Sequence, residues 1–273
     1  MRNIALRLEY DGSSFVGSQY QASGRTVQAE LEHAWLRFTG EERRWSLAGR
    51  TDSGVHAVGQ VANIHTESQH PLETVLRAMN ALLPPDIRVH EVWEVPERFH
   101  ARFSARRREY RYLILNSKSP SALLRQRALH VPQPLDVAAM NRALATLVGE
   151  HDFAAFAGGG QDATGSTVRF VYSAQCVITA DQLLPWPIIQ IDIAANAFLR
   201  HMVRTIVGTL LLVGAGTLAP ADFAAILEGR DRSRAGPTAP AHGLYLMAVH
   251  YDPAVAPLER LGDPEENFDD ENL

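Results

Sequence analysis

The sequence predicts an α+β protein made of two similar halves. Three observations lead there. Runs of apolar residues with period 2, the mark of half-buried strands, recur along the chain. Between them lie runs with helical spacing. The order strand, helix, strands, helix, strand appears roughly twice, although no repeat is visible in the residues themselves. The predicted division is an N-terminal half over 1–104, a C-terminal half over 105–262, and an acidic tail over 263–273 expected to be disordered. A cleft between such halves is a common place for a site.

Each element has a local reason. Ile4, Leu6, Leu8 and Tyr10 alternate, giving a strand over 3–10. Val27, Leu31, Ala34, Trp35 and Phe38 recur at helical spacing, and Thr26 is placed to cap that helix. Strands are expected near 44–49 and 57–65, and a helix over 72–82 before the Pro84-Pro85 break. Strands over 86–95 and 105–116, a loop at 116–121 and a helix over 135–148 follow. GGGQDATGS at 158–166 reads as flexible. Strands fit 167–179 and 186–195, helices 199–213 and 220–228, and a last strand 243–251.

Composition narrows the class. With 273 residues the chain can bury roughly 70–75% of its unfolded surface without staples. Cys176 is the only cysteine, so neither a disulfide within the chain nor a cysteine-based zinc site is expected, and a reducing cytoplasm fits. The N-terminal apolar stretch carries charges and does not read as a signal peptide. The uncharged run 205–221 is short for a membrane span and contains Gly214, Gly216 and Pro220, so it reads as a buried helix. Net charge is −5, but six acids crowd into 263–273 and leave 1–262 at +1. Six arginines and one acid fall within 98–111. Arginine's planar fork suits phosphate, so this strip is either a nucleic-acid footprint or a solvated strand face.

The chemical motifs are few. GAGTLA at 214–219 matches a dinucleotide glycine pattern but ends a helix, which argues against a nicotinamide site. No nucleophile elbow and no phosphate-binding loop is present, and the eleven histidines lack zinc-hydrolase spacing. His201 and His242 read as hydrogen-bonded structural residues. GRTDSGVHA at 49–57 sets Asp52 in a turn between glycines, a common turn that could also present one carboxylate. Tyr110 and Tyr112 share a strand face beside the arginines, with core packing expected for one of them. Arg200 and Arg204, four apart, are expected on one face of an apolar helix. A buried arginine is costly without an anion, and Asp52 could supply it.

Eight stretches carry a resemblance. They are YDGSSFVGSQYQ (10–21), TVQAELEHA (26–34), GRTDSGVHA (49–57), MNALLPPDIRV (79–89), FHARFSARRREYRY (99–112), HDFAAF (151–156), FLRHMVRTIVG (198–208) and GPTAPAHGLYLMAV (236–249). In this order and spacing the chain resembles the tRNA pseudouridine synthase A family. The resemblance implies a mainly antiparallel sheet, a central basic cleft and a homodimer. It implies isomerisation of uridine to pseudouridine at about positions 38–40 of the tRNA anticodon stem-loop, with no cofactor, metal or membrane. By the same resemblance Asp52 is the essential catalytic residue, Tyr110 packs on the target base, Arg204 pairs with Asp52 and Arg50 holds the flipped-out nucleotide. The strip, with Arg107 and Arg108, would hold phosphates. One departure is Ser18, where the family usually has tryptophan.

This chemistry suits these residues. Pseudouridine formation breaks the C1′–N1 bond and rejoins the base through C5, with no electrons or phosphate entering. One carboxylate can attack base or sugar, or remove a proton. An arginine partner keeps a carboxylate charged. The base must leave its stack, at a few kcal/mol, and a stacked tyrosine returns roughly 1–3 kcal/mol. The other functional classes weighed are a non-catalytic RNA-binding protein on the same scaffold and a nicotinamide oxidoreductase using 214–219.

Overall fold

A computed structural model describes residues 1–158, 165–180 and 186–253. The acidic tail 263–273 and residues 159–164 of the glycine-rich stretch lie outside the described residues. The chain folds as ten strands and five α-helices, among the described residues. In chain order they are β1 (Arg2–Tyr10), α1 (Val27–Thr39), β2 (Ser46–Leu47), β3 (His56–Thr66), α2 (Leu72–Leu82) and β4 (Ile87–Val95). Then come β5 (Ala105–Leu115), β6 (Leu129–His130), α3 (Val137–Ala145), β7 (Gly149–Asp152), β8 (Val168–Ala180), β9 (Pro187–Ala195), α4 (Met202–Gly214), α5 (Pro220–Gly229) and β10 (Leu244–Tyr251).

The strands form one mainly antiparallel sheet in the order β4-β1-β3-β10-β5-β9-β8-β7. The strand β10 joins the strands β4-β1-β3 to the strands β5-β9-β8-β7. It runs parallel to β3 over Tyr245–His56 and Leu246–Ala57, and antiparallel to β5 on its other side. This places the segment before β3, which carries Asp52, beside the centre of β5, which carries Tyr110. One large core of buried apolar residues spans Ile4 to Val249, and a small second cluster holds Leu115, Ala128 and Ile188.

Local rules account for most boundaries. Thr26 caps α1 through Oγ1, which accepts from the Ala29 N–H at 3.2 Å. Gly40, in the left-handed region, ends it. Asp136 caps α3 in the same way, at 2.9 Å. The uncharged run at 205–221 splits at Gly216 (φ +74°) into α4 and α5, and ten residues of α4 are buried. Of the described residues, no helix is long and apolar enough to cross a membrane.

Two strands were not anticipated and two expectations needed revision. The two-residue β6 and four-residue β7 had no visible period because they are too short to show one. The helix expected from 199 begins at Met202, because His201 takes a left-handed conformation (φ 60°). Arg200 therefore precedes the helix and does not share a helical face with Arg204.

Candidate active site

Asp52 sits in a turn held from below. Gly17 (φ +131°) bridges to Asp52, and Gly54 (φ +79°) lets the chain reverse immediately after it. The Ser18 Oγ accepts from the Thr51 N–H at 2.8 Å, and the Ser18 N–H donates to the Thr51 carbonyl at 3.0 Å. The Tyr10 hydroxyl lies 2.7 Å from Thr51 Oγ1, and the buried Gln60 side chain both donates to the Gly49 carbonyl (2.8 Å) and accepts from its N–H (3.1 Å). Ser18 is thus a buried acceptor beneath the turn, with no place in base packing. The turn's backbone is satisfied from within the protein, and the Asp52 side chain is left 31% exposed.

The opposing element is α4. Arg204 Nη1 donates to Asp52 Oδ2 at 2.9 Å, and Arg204 Nε donates to the Ala239 carbonyl at 2.7 Å. The backbone closes the same pair, since the Ala239 N–H donates to the Arg204 carbonyl. This explains GPTAPAHG at 236–243. The segment lies against α4 so closely that a Cβ on Gly208 would fall 1.7 Å from the Pro237 carbonyl oxygen. The Gly236 N–H donates to Thr209 Oγ1, and the Tyr112 hydroxyl donates to the Pro240 carbonyl at 2.8 Å. Tyr112 is therefore the core member of the tyrosine pair.

His201 is the site residue that sequence reasoning placed elsewhere. Its Nε2 lies 3.4 Å from the same Asp52 oxygen that Arg204 reaches. Burial lowers the imidazole's pKa below its ordinary 6.5; Asp52 opposes that shift, and the charges of Arg204, Arg200 and Arg232 add to it. No helical spacing signals it, because His201 precedes α4 in a left-handed conformation.

Asp52, His201 and Arg204 line a cavity of about 960 Å³ that Tyr110, Phe198, Arg50, Arg102, Arg108, Arg169 and Arg200 also border. Tyr110 is 8% exposed and meets Phe198 edge-on at 4.9 Å between ring centres. Burial, with Tyr10 and Asp52 adding to it, pushes the Tyr110 phenol well above its ordinary pKa of 10, so it stays neutral.

The arginines of the strip and of the cavity differ in their surroundings. Arg108 is buried, and its guanidinium makes four hydrogen bonds to the carbonyls of Ala48, Asn196 and Arg102. Arg107 is one residue out of phase, does not line the cavity, and pairs with Glu109 at 2.9 Å. The Arg108 guanidinium is taken up by backbone acceptors, and Arg107 lies on the opposite sheet face, outside the cavity. Arg50, Arg102, Arg169 and Arg200 do border the cavity, and none pairs with a carboxylate among the described residues.

A sequence model of tRNA pseudouridine synthase matches residues 8–104 and 143–252. A protein named tRNA pseudouridine synthase A from Roseiflexus castenholzii is 59% identical over 92% of this chain and 91% of its own. The chain belongs to the tRNA pseudouridine synthase family. Members so named from Chloroflexus aurantiacus and Ruminiclostridium cellulolyticum are 52% and 45% identical, over 93% and 92% of this chain and 91% and 100% of theirs. This is an isomerase family, and a site with one carboxylate held by an arginine fits an isomerase. Among the described residues no group of three or more metal-ligating side chains assembles.

Proposed function

We propose that this protein isomerises uridine to pseudouridine in the anticodon stem-loop of tRNA, at about positions 38–40, with Asp52 as the reacting carboxylate. One observation carries the reading: Asp52 is a carboxylate of the cavity, held by Arg204 at 2.9 Å and ringed by arginines without carboxylate partners among the described residues. The target uridine lies in folded RNA and must be flipped out to enter. Arg50, beside Asp52 and at the cavity edge, holds the flipped-out nucleotide. The neutral Tyr110 packs on the base, and a phenol that does not ionise serves packing better than proton removal. Arg204 fixes the Asp52 oxygen that it grips, leaving Oδ1 for the reaction.

The division of labour follows the chain. The half spanning 1–104 supplies Arg50 and Asp52, and the half spanning 105–262 supplies Tyr110, His201 and Arg204. Arg102, Arg169 and Arg200, which border the cavity, hold the phosphates next to it. A homodimer in the cytoplasm is the assembly and place proposed, and no metal or nucleotide cofactor is required.

The test is tritium release from tRNA transcripts labelled at uridine C5, without added metal or cofactor, followed by mapping of the modified position. Release with modification at 38–40 is expected. Tight tRNA binding without release would leave an RNA-binding protein in its place.

A further inference from the structure

The turn between β4 and β5 carries a feature that neither packing nor the reaction uses. Phe103 stands 76% exposed, the most exposed aromatic side chain among the described residues. A lone exposed apolar residue is ordinary on a protein surface. Phe103 differs because its turn is held rigidly and an arginine guanidinium stands beside its ring. The Ser104 N–H donates to the His100 carbonyl (2.9 Å), while the His100 N–H donates to Ser104 Oγ (3.1 Å). Asn63 Oδ1 and the Tyr251 hydroxyl bind the two backbone polar groups of Ala101 at 2.8 and 2.7 Å. The Arg102 carbonyl accepts from Arg108 at 2.6 Å.

The ring on this turn stands beside the cavity's charged edge. Arg102 borders the cavity and lies near Arg50 and Arg108, whose charges help lower its pKa after burial does. The Arg102 guanidinium lies 5.6 Å from the Phe103 ring centre, and the His100 ring packs at 4.4 Å. A flat apolar ring beside cations is the surface that an unstacked base of single-stranded RNA takes. We infer that Phe103 is a stacking platform for an unpaired nucleobase of the RNA, outside the cavity, next to the nucleotide that enters it. The inference rests on the proposed RNA substrate and adds a second contact point to it. The platform is fixed before binding, so ordering the turn costs little when the base stacks.

The test is tRNA affinity across a salt series for wild type, Phe103→Ala and Phe103→Trp. Phe103 is exposed, so neither change disturbs the core. Phe103→Ala should weaken binding about tenfold, as losing one stacked base does, and leave the salt slope unchanged because no charge is lost. Phe103→Trp should bind like wild type, and saturating tRNA should quench the added indole emission beyond any change in wild type. Unchanged affinity in Phe103→Ala, or an added indole indifferent to tRNA, would overturn the inference. So would a sedimentation change in Phe103→Ala without RNA, which would make the ring a protein contact. Tritium release by wild type is scored separately: intact release with an inert Phe103 overturns only the platform, whereas absent release overturns the proposed activity.

Discussion

Strand β5 has two faces with different surroundings, and the contrast separates framework from surface. Arg108, Tyr110 and Tyr112 point inward, opposite Ile193, Ile191, Leu244 and Leu246 on the neighbouring strands. Arg107, Glu109 and Arg111 point outward, where Arg107 pairs with Glu109, His250 reaches the same Glu109 oxygen, and Arg111 pairs with Asp192 at 2.8 Å. Among the described residues the inward arginine has no carboxylate partner and takes backbone carbonyls instead. The outward arginines are balanced locally. A run of like charges in one dimension therefore becomes a buried clamp on one side and a neutralised surface on the other.

The largest expected effect of breaking this contrast is on the inside. Arg108→Ala removes the donors that the Ala48, Asn196 and Arg102 carbonyls share. It should cost on the order of 3 kcal/mol, a fall in melting temperature of roughly 6–12 °C at this chain length. An unchanged melting temperature would show that water replaces the clamp. The next effect is on binding. Arg102→Ala should weaken tRNA binding and reduce the salt slope by about 1, whereas Arg107→Ala should change the slope little. Equal slopes for the two variants would remove the distinction between the cavity edge and the outward face.

The smallest effect is that of pH on stability. Burial lowers the pKa of His56, His201 and His242 below the ordinary 6.5. In the unfolded chain these groups take up protons near pH 6.5, while the folded protein resists. Their contribution is complete above about pH 6.5 and is lost as pH falls through the lower folded values. Melting temperature should therefore decline on acidification from about pH 7 to 5, less steeply in His56→Gln. A flat profile would mean that the folded histidines accept protons freely.

The fold was legible where periodicity was long. β1, α1, β3, α2 and β10 follow from alternation, helical spacing, a Thr cap and proline breaks. β6 and β7 had too few residues to show a period, and the pairing of β10 with β3 depends on contacts 189 residues apart, between Tyr245 and His56. The site was legible in part. The motif resemblance pointed to Asp52 and Arg204, and the structure brings them to 2.9 Å. Arg169 carried no local signal, because it stands on an ordinary strand and reaches the cavity only through the sheet's order. The surroundings of Arg107 and Arg108 were not legible, because charge alone does not say which face a strand residue takes, nor which carbonyls wait behind it. The structural part of GPTAPAHG was invisible for a similar reason: its close approach to Gly208 belongs to the partner helix.

The central claim is that Asp52, held by Arg204, performs the reaction while the surrounding arginines hold the RNA. The most direct test is tritium release and tRNA affinity measured together for wild type and Asp52→Asn. The substitution keeps the size of the side chain and removes its charge. The account predicts that release is abolished while tRNA affinity stays within a few-fold of wild type. Near-normal release by Asp52→Asn would contradict it.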